Sequence, residues 1–336
     1  MSTVKRFVSQ GGLRVYQISC QVFANLTGRV YLLLGAGPPT LVDAGSGQED
    51  CTRQILSGVQ QVHDEFGEAI APADIRRILI THAHIDHFGG LAGLLREVKA
   101  EVGIHPLDSR ALTAYDEFAV VANWKLDAFL TTAGVEPQQR REMLEAFQLP
   151  RGRYPNVPWD VPLGDGLVLD GLEILHTPGH SAGHVCIAAD NLLLSADHIL
   201  SRTIPQQWPE SVAPNTGLGH YLESLDKVQR RGGFDLALPA HEIVIHDLSH
   251  RIDAIRTSNL RRLERLVEIL RHAGRPLSVG ELARKMYTDS LGMRAILAMT
   301  DIGARVEYLH QRGQLLVANL DDLQQGDSPV FRYAPY

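Results

Sequence analysis

Short apolar runs alternate along the first hundred positions with clusters of glycine, proline and polar residues. "RVYLLL" (29–34) and "TLVDAG" (40–45) flank "GAGPP", whose glycines and prolines reverse a chain and do not continue a ladder, so a strand, turn, strand unit is predicted. "IRRILITHAH" predicts another strand, "GGLAGLLREV" has leucines spaced for one helical face, and "EVGIHP" predicts a further strand. Strand, histidine-rich loop, helix, strand is the pattern of α/β layering, in which polar loops at strand ends carry chemistry and the strands hold them still. Residues 106 to about 160 break the pattern. Here "SRALTAYDEFAVVANWKLDAFLTTAG" and "PQQRREMLEAF" read as helices and "LPRGRYPNVPWDVP" as a proline-rich passage, together an insertion. Strands resume with "LVL", "LEILHT", "HVCIAA" and "NLLLSA", then an amphipathic helix "LGHYLESLDKVQRR" and a buried strand "DLALPAH".

From about 249 the pattern changes again. Ile252, Ile255, Leu263, Leu266, Val267 and Leu270 form one apolar stripe of a long helix. Ser278 with Glu281 three residues later reads as a capping box for "VGELARKMY". A third helix near 294–311 ends at Gly313 before "QLLV". Three helices and a terminal hairpin suggest a small winged-helix module, so the chain divides into residues 1–248 and 249–336. A length of 336 residues, above the comfortable size of one core, agrees with that division.

Composition narrows the classes. With 44% hydrophobic and 21% charged residues the chain is an ordinary globular one, and a net charge of −7 argues against attraction of a polyanion by the molecule as a whole. Cys20, Cys51 and Cys186 show no metal or disulfide spacing and suit free thiols in a reducing compartment. The first residues lack a signal-like apolar stretch, and no run reaches the roughly 18 apolar residues of a membrane span, so a cytoplasmic protein with no membrane partner is expected.

The chemistry gathers at strand ends. In "ITHAHIDHFGG" (80–90) the order H-x-H-x-D-H arises by chance in roughly two chains per thousand of this composition. Lone histidines such as His63, His105 and His310 are read as structural, but this cluster is not. His82 and His84, two apart, can converge on one ion while Asp86 and His87 turn toward a second. Each ion then needs distant ligands, and His180 in "ILHTPGHSAGH", Asp197 in "LLLSADH" and His241 in "LALPAHE" stand in the same context, each closing an apolar run.

That order of motifs, over roughly residues 13–247, resembles the metallo-β-lactamase-fold hydrolases. The resemblance implies a four-layer αββα sandwich with metals at one edge of two sheets. It implies that His82, His84 and His180 bind one divalent ion, that Asp86, His87 and His241 bind the other, and that Asp197 bridges. Zinc is favoured, with manganese or iron as alternatives. Asp43 in "LVDAG" matches the family's early strand-end aspartate, which orients the metal loop; a simple Asp-x-Gly turn is the other reading. An aspartate rather than a cysteine at 197 points away from lactam cleavage, toward the thioesterase, lactonase and phosphodiesterase branches. The implied reaction is attack by a hydroxide held between two cations about 3.5–4 Å apart, with Asp86 steering or accepting its proton. Ser181, His184 and His198 are candidate substrate contacts; Tyr115, Trp124 and Lys125 are candidates for lining a pocket or filling core.

Three functions follow: hydrolysis of a small ester, thioester or lactone; phosphodiester cleavage of RNA; or ligand sensing by a non-catalytic regulator. The tail resembles the winged-helix domain attached to some members of the family, and residues 251–275 hold seven arginines against three acids, a stripe that could contact RNA phosphates or simply be solvated. Packing or homodimer formation is the alternative use of the tail. A mono-iron oxygenase would leave Asp86, His87 and His241 unexplained, and residues 249–320 do not resemble the helical tail of the glyoxalase branch.

Overall fold

The computed structural model describes residues 3–147, 154–288, 292–326 and 328–336. The proline-rich passage expected at 149–162 therefore lies partly outside the described residues. The chain opens with β1 (Val4–Val8), β2 (Arg14–Phe23), β3 (Leu26–Leu34) and β4 (Thr40–Val42), followed by α1 (Glu49–Phe66), β5 (Arg77–Leu79), α2 (Ile85–Phe88), α3 (Leu91–Glu97) and β6 (Glu101–Ile104). Next come α4 (Arg110–Thr113), α5 (Tyr115–Thr132), α6 (Pro137–Phe147), β7 (Val161–Pro162), β8 (Val168–Leu169), β9 (Leu172–His176), β10 (Val185–Ala189) and β11 (Leu192–Ala196). The chain closes with α7 (Leu218–Arg231), β12 (Leu236–Pro239), α8 (Leu248–Ala273), α9 (Val279–Met286), α10 (Met293–Gln311), β13 (Leu315–Val317), α11 (Leu320–Gln325) and β14 (Tyr333–Pro335).

These elements fall into two compact units, one of residues 1–116, 151–205 and 224–252, the other of 117–150, 206–223 and 253–336. The first holds a seven-stranded sheet, β1 to β7 in sequence order, and a five-stranded sheet ordered β12-β11-β10-β9-β8. Strands β1 to β4 pair antiparallel as a meander, and β4 to β7 run parallel because α1, α3 and the helical stretch provide the crossovers. The inner faces meet in one apolar layer. Val15, Tyr31, Leu33, Val42 and Leu79 come from the first sheet and Ile174, Val185, Ile187, Leu194 and Leu238 from the second, every one almost closed to solvent. Such period-two burial fixes register, since a one-residue slip would turn these side chains outward. The fold is a mixed α/β sandwich of two sheets flanked by helices.

Helix α1 is an element that alternating apolar runs do not reveal. Its buried stripe is Cys51, Ile55, Gly58, Val59 and Val62, in which a cysteine and a glycine replace the usual large apolar residues, and it ends on left-handed Gly67. Gly58 is there for space: a Cβ on it would stand 2.3 Å from the Ile18 side chain on β2. Gly58→Val is expected to destabilise by about 1–3 kcal/mol through overpacking. Valine's better helix propensity, worth about a few tenths of a kcal/mol, does not offset this. The midpoint of urea unfolding checks the result.

The second unit is helical with one small sheet. Ser278 and Glu281 make the expected capping box, Glu281 N donating to Ser278 Oγ at 3.2 Å and Ser278 N to Glu281 Oε2 at 2.9 Å. Arg305, fully buried, donates to the Asp301 carbonyl and carboxylate and, at 2.9 Å, to Asn259 Oδ1. Strands β13 and β14 pair antiparallel, but α11 lies between them, so the expected terminal hairpin is instead a pair of strands joined through a helix. No helix among the described residues is long and apolar enough to cross a membrane.

Candidate metal centre

Five strands of the first unit end in polar side chains that converge. Asp43 follows β4, His82 lies past β5, His180 past β9, Asp197 directly after β11 and His241 after β12. Loops at the carboxyl ends of parallel strands are where α/β sheets place ligands, because the strands fix the loop origins. Asp86 and His87 lie on α2, the single turn capped by His84, so the loop expected there closes as a helix.

The structure brings all seven sequence-identified ligand candidates into two groups. One ligand atom from each of His82, His84, His180 and Asp197 lies within 4.8 Å of the others, and so do those of Asp86, His87 and His241. Asp197 faces both: its Oδ2 is 3.6 Å from His180 Nε2 and 3.6 Å from His87 Nε2, and its Oδ1 is 3.6 Å from His241 Nε2. Asp86 Oδ2 stands 3.3 Å from His241 Nε2 and 3.9 Å from His87 Nε2.

The surroundings set which nitrogens face inward. His87 Nδ1 donates to Asp43 Oδ2 at 2.8 Å, and His241 Nδ1 to the Thr27 carbonyl at 3.0 Å, so each Nε2 carries its lone pair toward the carboxylates. Thr81 Oγ1 donates to Asp43 Oδ2 at 3.0 Å and is thereby left to accept from His82 Nδ1 at 3.1 Å, which turns His82 Nε2 toward His84 Nδ1, 3.0 Å away. Buried lone pairs aimed at carboxylates and at one another repel unless a cation stands between them. His87 Nε2 and Asp197 Oδ1 are buried with no hydrogen-bond partner among the described residues, as atoms reserved for such a cation would be.

The proton affinities carry the same message. Burial opposes a charged His87, but the carboxylates of Asp43, Asp197 and Asp86 outweigh it and push its pKa up. His241 is raised against burial by Asp197 and Asp86. Burial works against charge on Asp86 and Asp197 too, yet His87 and His241 pull Asp86 down to about 2 and hold Asp197 well below the carboxylate range. In the other group burial and neighbouring imidazoles push His82 down and His84 to about 3, which keeps their nitrogens available to a metal. The donor set, imidazole nitrogen with carboxylate oxygen, fits divalent metals of the zinc, iron and manganese kind.

Asp43 is left-handed at φ +68° and almost fully buried, and it also accepts from Thr81 N at 2.8 Å, so the turn conformation and the bonds to Thr81 and His87 coincide in one residue. Ala196 and Glu242, which adjoin the ligand candidates Asp197 and His241, are left-handed too, a conformation that costs a non-glycine residue about 1–3 kcal/mol and recurs at functional sites.

The three candidate substrate contacts are buried beside the cluster. His184 is fully buried, its Nε2 accepting from Asp197 N at 3.3 Å and its Nδ1 meeting Thr177 Oγ1 at 2.9 Å. His198 is fully buried beside it, ring centroids 5.8 Å apart, and Ser181 Oγ donates to Asp108. Tyr115 is core, edge-on to Tyr154 at 4.9 Å and packed near Phe88, whereas Trp124 is 71% exposed and Lys125 half-buried. His63, His105 and His310 make local bonds, to Glu68 O, from Leu107 N and to Leu315 O, away from the cluster.

Two carboxylates escaped the sequence reading. Glu242 accepts from Ser201 Oγ, Thr203 Oγ1 and the backbone N–H groups of Arg202 and Thr203, fixing the loop beside His241. Asp108 accepts from Ala83 N at 2.8 Å, Ser181 Oγ at 2.8 Å and Gly183 N at 2.7 Å. Its signal was present, since it follows the strand "EVGI" by four residues, as His180 follows the strand that ends at His176.

Comparison with known proteins places this geometry. The sequence profile of the metallo-beta-lactamase superfamily matches residues 25–267. The lactamase-like protein nscB of Aspergillus fumigatus is 26% identical over 255 residues, 73% of this chain and only 57% of that protein's length. The acyl-coenzyme A thioesterase MBLAC2 of Bos taurus is 25% identical over 219 residues, 63% of this chain and 72% of its own. A metallo-beta-lactamase family protein from Thermus thermophilus has a similar fold, with a TM-score of 0.71 at 24% identity over 96% of this chain and 98% of that one.

Proposed function

We propose, from the premise that this chain belongs to the metallo-beta-lactamase superfamily, that it is a metal-dependent hydrolase of small thioesters and related esters or lactones. In this reading His82, His84 and His180 hold one divalent ion and Asp86, His87 and His241 a second, zinc being the favoured metal. The observation that carries it is Asp197, whose two carboxylate oxygens face His180, His87 and His241 at 3.6 Å each. Divalent ions, if bound by these residues, would supply a coordinated water of near-neutral pKa and polarisation of a substrate's acyl oxygen.

The chain's own groups do the rest. Asp86, held down to about 2, stays ionised at neutral pH and can steer a water at the centre by accepting its hydrogen bond. Asp43 and the Thr27 carbonyl keep His87 and His241 in the tautomer that presents Nε2. His184 holds the backbone of Asp197, and the left-handed Ala196 before it aims the carboxylate. The thioester preference draws on the acyl-coenzyme A thioesterase relative.

The test is metal analysis of the purified chain, followed by a panel of acyl thioesters and lactones set against bis(p-nitrophenyl) phosphate and a short RNA. Two ions per chain and turnover of thioester or lactone, lost on chelation and restored by metal, are expected. Phosphodiester or RNA cleavage without acyl hydrolysis would replace the substrate class, and a chain that takes up no metal would end the reading.

A further inference from the structure

Asp108 is almost fully buried, and it receives three hydrogen bonds although it touches none of the ligand side chains. Each donor lies on a loop that carries ligand candidates. Ala83 lies between His82 and His84, Ser181 follows His180, and Gly183 stands three residues past it. The two loops start from different sheets, the first after β5 of the seven-stranded sheet and the second after β9 of the five-stranded one. A single carboxylate therefore links them at the edge where the sheets open. The approach is close enough to demand glycine, because a Cβ on Gly183 would stand 2.8 Å from Asp108 Cγ and from its backbone nitrogen.

Asp43 offers the contrast. It receives His87 Nδ1 and the Thr81 N–H and hydroxyl, so it braces α2 against β5; its direct bond to a ligand candidate is to His87, and it reaches His82 only through the Thr81 hydroxyl. We propose that Asp108 is the corresponding positioning residue for the other half, setting the spacing between the His82–His84 pair and His180 and hence the affinity for one ion selectively. The inference rests on the two-ion reading of the centre. A carboxylate with only a packing role would weaken both ions together, through stability, or neither. A brace on one loop pair weakens one.

The test uses the full chain stripped by chelation and titrated with Co²⁺ or Zn²⁺, read by calorimetry and by the visible absorption of bound cobalt. The unaltered chain is expected to take two ions. Asp108→Asn keeps the shape but sets an amide NH₂ against backbone donors, and it should weaken one ion by about 10–100-fold, the range for loss of a group that orients metal ligands, and leave the other within about threefold. Ser181→Ala removes one of the three donors and should weaken the same ion by a smaller factor; it carries the test if Asp108→Asn does not fold. Chains with His84→Ala or His241→Ala, each missing a ligand from one half, identify which ion is affected. Equal weakening of both ions, unchanged affinities, or loss of the ion that His241→Ala loses would overturn the proposal. Fewer than two ions in the unaltered chain would overturn the two-ion reading itself, and this inference with it.

Discussion

Asp197→Ala is expected to lower hydrolysis by on the order of a thousandfold or more and to loosen metal in both halves of the centre at once. The side chain is the acid shared by the two groups, 3.6 Å from three imidazole nitrogens, and it is nearly closed to solvent. Without it His180 Nε2 and His87 Nε2 lose the nearest carboxylate recorded for them, and the negative charge that favours divalent ions over water is reduced to that of Asp86. Metal activation contributes several kcal/mol of transition-state stabilisation, and each 1.36 kcal/mol is a factor of ten, which gives the order of magnitude. Steady-state kcat/KM with metal content measured on the same preparation checks it. Asp197→Asn, keeping a neutral oxygen, should fall between the two. An alanine variant that retains a tenth of the activity would contradict the shared role.

Asp43→Ala is expected to cost about 3–5 kcal/mol of stability, the range for breaking a buried charged pair by removing one partner. Three donors are left behind in the interior: Thr81 N, Thr81 Oγ1 and His87 Nδ1. Alanine must also hold φ near +68°, where a Cβ crowds the following carbonyl and no side-chain oxygen compensates. Asp43→Asn should recover part of the loss, because its amide oxygen still accepts from Thr81. Urea unfolding of metal-free protein measures the difference without contribution from bound ions.

The clustered histidines and aspartates were legible because most of them share a local signature, a position just past a run of buried strand residues. That signature depends only on neighbours in sequence. Asp108 stands four residues past its strand, as His180 does, but no resemblance drew attention to it, and its meaning comes from contacts with residues 25 to 75 positions away. The burial of His184 and His198 was likewise hidden, since a histidine beside a ligand reads the same whether it faces substrate or backs the loop. Helix α1 was missed because its stripe uses Cys51 and Gly58 where a pattern search expects leucine. Helices α7, α8 and α10, with larger apolar residues, emerged within a residue or so of their ends. The division of the chain after residue 248 was drawn by reading along it, whereas the compact units gather 117–150 and 206–223 with 253–336, which only packing in three dimensions reveals.

This gathering of distant segments has a temporal cost during synthesis. Phe129 on α5 packs against Gly303 on α10, where a Cβ would come within 2.5 Å of its ring. At roughly 5–20 residues per second a ribosome adds Gly303 on the order of ten to thirty-five seconds after Phe129. Throughout that interval the Phe129 ring lacks the surface it finally packs on, so this part of the second unit closes only late in synthesis. A premature stop between these two codons would release a fragment in which Phe129 has no α10 to pack against.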